Sequence, residues 1–228
     1  MIGSRDARWK LLLALAVPSC VVAVGMFGAR DVRVAFTLYI SIGCGLAPWL
    51  LLGARPFARG HGLPWSTASM RDSGARQSVA AWAVFGPLFF AAYSLLRRHI
   101  GDAERYLSQL RGLGWRDEHQ IVYALLFILL IPVAEEWWWR GQALPRCVEW
   151  LGRGRGIALA ASAYAAYHAF TLAALYDTWS VGIRLGGIFL AGLVWSVLAL
   201  RRGEWSVTYF AHLGADMAIV AAFFLYVT

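Results

Sequence analysis

Ile131-Pro132-Val133-Ala134-Glu135-Glu136-Trp137-Trp138-Trp139-Arg140 places two adjacent carboxylates at the end of an apolar run that begins at Ile121. A carboxylate is costly at membrane depth, so its usual explanation is a function in a protein interior or a water-filled cavity. Two later apolar segments each contain a histidine, His168 and His212. The simplest expectation is that three membrane-spanning segments direct their polar groups toward one shared site.

The composition predicts an integral membrane protein. Of the 228 residues, 60% are hydrophobic, which is a far larger share than in a soluble domain. Several runs approach the roughly 20 apolar residues needed to cross a bilayer, and they do not alternate as the strands of a membrane barrel would. The sequence therefore predicts an all-α, polytopic transmembrane helix bundle of about seven spans. The expected spans are 11–27, 35–52, 79–96, 121–139, 156–175, 181–200 and 207–227.

These spans are expected to form a single integral membrane domain over residues 1–228. Its first part, residues 1–120, would hold three spans, and residues 121–228 would hold the catalytic core. A polar linker is expected over 53–78 and a basic connection over 141–155. Basic residues before the first run resemble a signal peptide, but the run continues past Cys20, which favours a retained helix.

The segment before the fourth span is polar but patterned. The apolar residues that recur there on one helical face are Ile100, Tyr106, Leu107, Leu110 and Leu113. This pattern predicts a short helix lying in the membrane interface. The three tryptophans at 137–139 are expected to form a belt at the membrane–water boundary, where tryptophan is enriched.

The charge of the chain excludes some partners and fits others. The net charge is +8, and only one of the 21 basic residues is a lysine. The arginines cluster between apolar runs, which fits anchoring to anionic lipid in the bilayer, whereas nucleic-acid binding would need a solvated basic domain. The cysteines at 20, 44 and 147 lack C-x-x-C spacing, so neither a disulfide framework nor a thiolate metal site is predicted.

Polar residues of three spans recur at a spacing of four, which places each pair on one helix face. The pairs are Glu136 with Arg140, Tyr164 with His168, and His212 with Asp216. Glu135 lies about 100° around the helix from Glu136, so the two carboxylates cannot face the same direction. One carboxylate is then free for chemistry, while Arg140 can neutralise the other.

Each of these features has a simpler explanation when it is taken alone. A membrane histidine is more often a packing partner than a catalyst, and a Glu–Arg pair at a helix end is usually an interfacial salt bridge. The joint pattern favours a shared site, because these groups are costly in lipid and can satisfy one another. A non-catalytic transporter or scaffold stays open, since proton relays use the same residue types, although no internal repeat is visible.

The ordered motifs resemble the CPBP family of intramembrane proteases, also called the Abi or CAAX-protease-like family. The pattern of that family is Glu-Glu-x-x-x-Arg, then Phe-x-x-x-His, then His-x-x-x-Asn or Asp. The matching motifs here are Glu135-Glu136-x-x-x-Arg140, Tyr164-x-x-x-His168 and His212-x-x-x-Asp216, with Tyr164 in the place of Phe. The resemblance covers about residues 121–228, and the first three spans match only as generic membrane helices.

The resemblance implies a glutamic endopeptidase with a definite division of labour. Glu135 would be the general base that activates water, since a desolvated carboxylate is a better base, and His168 would hold that water. His212 and Asp216 would support the developing oxyanion, although an ionised aspartate cannot itself donate a hydrogen bond. The supporting residues would be Glu136, Arg140 and Tyr164.

The resemblance also implies that no cofactor is required. The alternative mechanism is a zinc protease in which His168, His212 and Glu135 hold the metal and leave a fourth position for water, but the chain has no H-E-x-x-H motif. The expected substrate is a membrane-anchored protein or peptide cleaved at a leader or a C-terminal tail, as in the myxosortase-like members. The expected location is a bacterial inner membrane.

Overall fold

The computed structural model describes residues 4–54, 72–96, 103–202 and 205–227, which are helical apart from short turns and contain no strand. The helices in these ranges are α1 (Arg5–Ala29), α2 (Val32–Leu52), α3 (Asp72–Leu96), α4 (Ala103–Gly112), α5 (Asp117–Leu151), α6 (Arg153–Leu175), α7 (Thr178–Arg202) and α8 (Ser206–Tyr226). All but α4 contain a stretch long and apolar enough to cross a membrane. The predicted all-α bundle of seven spans is confirmed, while its organisation as one domain stays a prediction. Most of the predicted linker over 53–78 lies outside the described residues.

The turn between α1 and α2 is held by Asp31. Its Oδ1 accepts hydrogen bonds from the backbone N–H groups of Arg33 (2.7 Å) and Val34 (3.3 Å), which caps the N-terminus of α2. The Arg33 side chain also donates to this carboxylate and lowers the pKa of Asp31 to about 2. The backbone N–H of Val32 donates to the carbonyl of Leu113 at 2.9 Å, and this bond ties the segment after α4 to the same turn.

The short helix predicted before the fourth span is α4. Leu110 and Leu113 are buried, whereas Glu104 and Arg105 are exposed, as the predicted apolar face requires. Ile100, the first residue of that face, lies outside the described residues. The helix is therefore amphipathic, with one side against the bundle.

The fourth span, α5, departs from regular α-helical geometry twice. At Leu130 φ is −95°, two residues before Pro132, whose ring cannot fit against a regular preceding helical turn. The residues Glu136–Ala143 then form a π-helix, a geometry that is often found at functional sites. Both departures flank Glu135, so the backbone is irregular on either side of the first predicted catalytic residue.

The predicted end of the fourth span at Trp139 and the predicted connection over 141–155 are wrong. The helix continues to Leu151, and Gly152, which has a positive φ of 78°, turns the chain into α6. Proline and arginine in this segment favour a loop at first sight. Leu144 and Cys147, however, are three residues apart and fully buried, and this helical spacing supports the continued helix.

The three tryptophans after the glutamates do not form the predicted interfacial belt. Trp137, Trp138 and Trp139 are 4%, 0% and 1% exposed and belong to the hydrophobic core. Because α5 continues beyond them, they lie in the middle of a helix rather than at its end. All eight residues of the π-helix are buried, so every direction around this segment faces protein.

The helix that carries His212 and Asp216, α8, packs along α3. A Cβ atom added to Gly214 would lie 2.8 Å from the carbonyl oxygen of Trp82, and one added to Gly86 would lie 3.3 Å from the carbonyl oxygen of Gly214. Only glycine allows the two backbones to approach this closely, as small residues commonly do between membrane helices. This contact fixes α8 at the level of its two predicted site residues.

Candidate active site

The central element of the site is a buried ion pair within α5. Nη1 of Arg140 donates to Oε1 of Glu136 at 2.9 Å, as their spacing of four residues predicts. The guanidinium lies 4.3 Å from the ring centre of Tyr164 and 5.2 Å from that of Trp195. Aromatic faces attract a cation at this range, so Arg140 is held by a carboxylate and two rings.

The same oxygen of Glu136 also accepts a hydrogen bond from α8. Nδ1 of His212 lies 2.9 Å from Oε1 of Glu136, and because a carboxylate can only accept, Nδ1 carries the proton. The imidazole ring stacks on Trp195 with 4.7 Å between ring centres. These two contacts fix the ring and leave Nε2 as its only free edge.

The free edge of His212 faces two further carboxylates. Nε2 lies 3.7 Å from Oε2 of Glu135 and 3.6 Å from Oδ1 of Asp216. Both separations exceed a hydrogen bond, so the three groups surround a common point without bonding to one another. The two glutamates thus meet opposite edges of one imidazole ring, which agrees with the prediction that they face different directions.

The third span of the site, α6, reaches Glu135 through a tyrosine. The hydroxyl of Tyr167 donates to Oε1 of Glu135 and also lies 2.9 Å from Nε2 of His168. Nδ1 of His168 lies 2.9 Å from the backbone carbonyl of Tyr164, so Nδ1 is a donor. His168 is partly exposed, whereas Tyr167 is buried.

Aromatic residues from α2 and α5 hold Tyr167 in place. Its ring stacks on Tyr39 at 4.4 Å and lies parallel to Trp139 at 6.1 Å between centres. The indole N–H of Trp139 donates to the hydroxyl of Tyr39 at 3.1 Å. The second span, which the sequence identifies only as a generic membrane helix, therefore supports the site directly.

Three carboxylate oxygens of the site are buried without a hydrogen-bond donor from the described protein. These are Oε2 of Glu135, Oε2 of Glu136 and Oδ2 of Asp216. A buried acceptor that lacks a donor is costly, and such atoms in a native structure call for an explanation in terms of a ligand, a water molecule or catalysis. The oxygens of Glu135 and Asp216 belong to the carboxylates that face Nε2 of His212.

All seven residues predicted for the site meet in this region. They are Glu135, Glu136, Arg140, Tyr164, His168, His212 and Asp216. His168 reaches Glu135 through Tyr167, a residue for which the sequence predicts no role. The catalytic roles of these residues stay predictions.

The zinc alternative does not fit this arrangement. Among the described residues, no group of three or more histidine, cysteine, aspartate or glutamate side chains is placed to hold a metal ion. Nε2 of His168 is occupied by Tyr167, and Nδ1 of His212 by Glu136. The prediction that the protein needs no cofactor is a separate one and remains a prediction.

The helix bundle and its buried polar cluster define a polytopic integral membrane protein with an acid–histidine centre shared by three spans. Residues 117–218 match the family model described as Type II CAAX prenyl endopeptidase Rce1-like. The match runs from the start of α5 into α8 and includes all seven predicted site residues, so the resemblance to this family of proteases is confirmed for that part of the chain. No curated protein sequence and no solved structure is significantly similar to the chain.

Proposed function

We propose that this protein is an intramembrane endopeptidase that hydrolyses a peptide bond in a membrane-associated protein or peptide, with Glu135 as the general base. The observation that carries the proposal is the position of Glu135: its Oε1 is fixed by Tyr167, while its buried Oε2 lacks a donor and lies 3.7 Å from Nε2 of His212. A carboxylate held by one oxygen can accept a proton on the other. The match to a protease family over residues 117–218 supports the same reaction class.

In the proposed reaction, Oε2 of Glu135 takes a proton from a water molecule as the water oxygen attacks the scissile carbonyl carbon. For this step His212 is protonated on both ring nitrogens: Nδ1 donates to Glu136, and Nε2 donates a hydrogen bond to the carbonyl oxygen as it becomes an oxyanion. When the carbon–nitrogen bond breaks, the leaving amine takes the proton from Glu135. The carboxylate is restored, and the products are one acid and one amine.

The other residues of the proposed site position these two groups. Glu136 holds Nδ1 of His212 and is itself held by Arg140, each at 2.9 Å. Asp216 lies 3.6 Å from Nε2 of His212 and places a carboxylate beside the oxyanion donor. Tyr164 supports Arg140 with its ring and His168 with its backbone carbonyl.

The substrate is proposed to be anchored in the bilayer, because the proposed base lies within a membrane-spanning helix and is 2% exposed. The matched family model is described as a prenyl endopeptidase. For this chain we propose the broader class of membrane-anchored leaders or C-terminal tails, as in the myxosortase-like proteins of a bacterial inner membrane.

The test compares the termini of membrane proteins in cells that produce the wild-type protein or its Glu135→Gln variant. The amide keeps the shape of the side chain and accepts a hydrogen bond from Tyr167 but cannot take a proton at neutral pH. We expect peptide termini that depend on the wild-type protein to disappear in the variant, because loss of a general base typically lowers rates about 10²–10⁴-fold.

The matched control is Glu149→Gln, which makes the same change on an exposed residue of the same helix. The control should leave the termini as in the wild type. If Glu135→Gln is folded and processes the same termini at the same rate, the endopeptidase proposal is wrong, and a transporter or scaffold becomes the better explanation.

A further inference from the structure

The hydroxyl of Tyr167 lies between an acid and a base, and it can donate only one proton. It is hydrogen-bonded to Oε1 of Glu135 and, at 2.9 Å, to Nε2 of His168. The other ring nitrogen of His168 donates to the carbonyl of Tyr164 at 2.9 Å. The protonation of the imidazole is therefore defined at Nδ1, and only Nε2 can change.

Counting protons along this chain of hydrogen bonds leaves two consistent arrangements. In the first, Glu135 is ionised, Tyr167 donates to it, and Nε2–H of an imidazolium donates to the phenol oxygen. In the second, protonated Glu135 donates to the phenol oxygen, and Tyr167 donates to Nε2 of a neutral imidazole. If Glu135 were ionised and His168 neutral, Tyr167 could donate its one proton to only one of them. At the other contact two lone pairs would then face each other, and a buried hydrogen bond would be lost.

Both arrangements contain the same number of protons and have zero net charge over the three side chains. Conversion of the first into the second moves the phenol proton to Oε1 of Glu135 and the Nε2 proton to the phenol oxygen. Two bonds to hydrogen break and two form, and no outside donor or acceptor is needed. Charges that cancel within a buried group avoid much of the cost of desolvation.

We infer that Tyr167 is a positioning residue that relays a proton between Glu135 and His168, so that His168 holds the proton while Glu135 acts as the base. The catalytic meaning of this inference rests on the proposed function, but the shared proton itself does not. The relay also gives His168 a role other than direct contact with water, since its Nε2 is taken up by the phenol.

Other charged and titratable groups face this relay from every neighbouring helix. They are Tyr39 and Cys44 of α2, Glu136 and Arg140 of α5, Tyr164 of α6, and His212 and Asp216 of α8. Among the acids and cations of this set, Glu136 and Arg140 form a pair. Tyr167 is hydrogen-bonded to both Glu135 and His168, so its removal is the specific perturbation of the link between these two groups.

The experiment records the ¹⁵N resonances of His168 in the full-length protein, labelled at histidine and held in phospholipid nanodiscs, over about pH 5 to 9. The signal is assigned with His168→Gln. We expect an imidazolium in the wild-type protein at neutral pH and its conversion to the neutral ring about one to two pH units lower in Tyr167→Phe, because the hydrogen bond to the charged form is lost. Glu135→Gln should have the same sign of effect, since the matching negative charge is gone.

The control is Tyr106→Phe, which removes a phenol hydroxyl from α4, outside the cluster, and should leave the His168 titration unchanged. The inference is overturned if wild-type His168 is neutral at neutral pH, or if Tyr167→Phe titrates as the wild type does. The wild-type measurement stands even if Tyr167→Phe does not fold.

Activity provides the second readout. For a peptide terminus whose formation needs Glu135, kcat should fall on the alkaline side of its pH profile. In Tyr167→Phe this fall should occur about one to two pH units lower than in the wild type, with KM unchanged. An unshifted fall in a protein whose Glu135→Gln variant is inactive would refute the relay and leave the endopeptidase intact. An active Glu135→Gln variant would refute the endopeptidase, whatever the resonances of His168 show.

Discussion

Replacing Arg140 with methionine removes the cation beside Glu136 while keeping a long apolar side chain. The two side chains are 1% and 0% exposed, and Nη1 lies 2.9 Å from Oε1. Removing one partner of such a buried pair typically costs about 3–5 kcal/mol, because the remaining charge stays buried. His212 still donates to Glu136 at 2.9 Å. We therefore expect the free energy of unfolding to fall by about 3 kcal/mol, the lower end of this range.

The assay is reversible unfolding in mixed detergent micelles, followed by circular dichroism, for four proteins that form a double-mutant cycle. They are the wild type, Arg140→Met, Glu136→Gln and the double variant. The loss in the free energy of unfolding of the double variant should be about 2 kcal/mol smaller than the sum of the two single losses, because neither charge is then left buried without its partner. Arg201→Met, at an exposed position of α7, controls for the loss of any arginine.

The reasoning would be refuted by a loss below about 1 kcal/mol in Arg140→Met, the value expected of a pair that is exposed and screened. The reasoning would also be refuted if the loss in the free energy of unfolding of the double variant equalled the sum of the two single losses, because Glu136 and Arg140 would then not interact. Either result would show that Glu136 is not held as a buried anion.

Two further predictions concern packing and the turn before α2. Trp138→Ala should destabilise the protein by about 3–5 kcal/mol, because it leaves a cavity at a fully buried position. Trp179→Ala, at a side chain that is 70% exposed, should cost less than about 0.5 kcal/mol. Unfolding midpoints in micelles distinguish the two variants. Asp31→Asn should cost about 1 kcal/mol at neutral pH, given that the partner Arg33 is half exposed. Because the folded pKa of Asp31, about 2, lies below its ordinary value of 3.8, this stabilisation is present above about pH 4 and is lost as the pH falls toward 2; a constant difference between variant and wild type across that range would contradict it.

The number and order of the spans could be predicted because each is an apolar run long enough to cross a bilayer. The pairs four residues apart also identify real contacts: Arg140 bonds Glu136, and the backbone carbonyl of Tyr164 bonds His168. Both kinds of information are local. They depend on the periodicity of one helix and on the cost of polar groups in lipid.

The extent of α5 could not be predicted in this way. Proline, arginine and glycine after Trp139 favour a loop, but the chain stays helical through the π-helix Glu136–Ala143 and the α-helical residues Leu144–Leu151. The burial of the three tryptophans follows from that continuation. A belt at the membrane boundary is the better prediction only if the helix ends where its apolar run ends.

Tyr167 was missed for a different physical reason. It precedes His168 in the sequence, so on an ideal helix the two residues point about 100° apart. The hydroxyl of Tyr167 is nevertheless hydrogen-bonded to both His168 and Glu135, and its ring stacks on Tyr39 of α2. Contacts between helices of this kind leave no periodic pattern in one sequence.

The glycine contact between α3 and α8 restricts the route by which a chain could reach the centre of the bundle. An extended peptide needs about 4.7–4.9 Å of lateral room beside a neighbouring backbone, but at Gly86 and Gly214 a single added carbon already lies 3.3 Å or less from the opposite helix. This seam is closed at the depth of His212, so a substrate of the proposed endopeptidase would have to pass between another pair of helices. Of the seven predicted site residues, His168 on α6 is the one that is partly exposed.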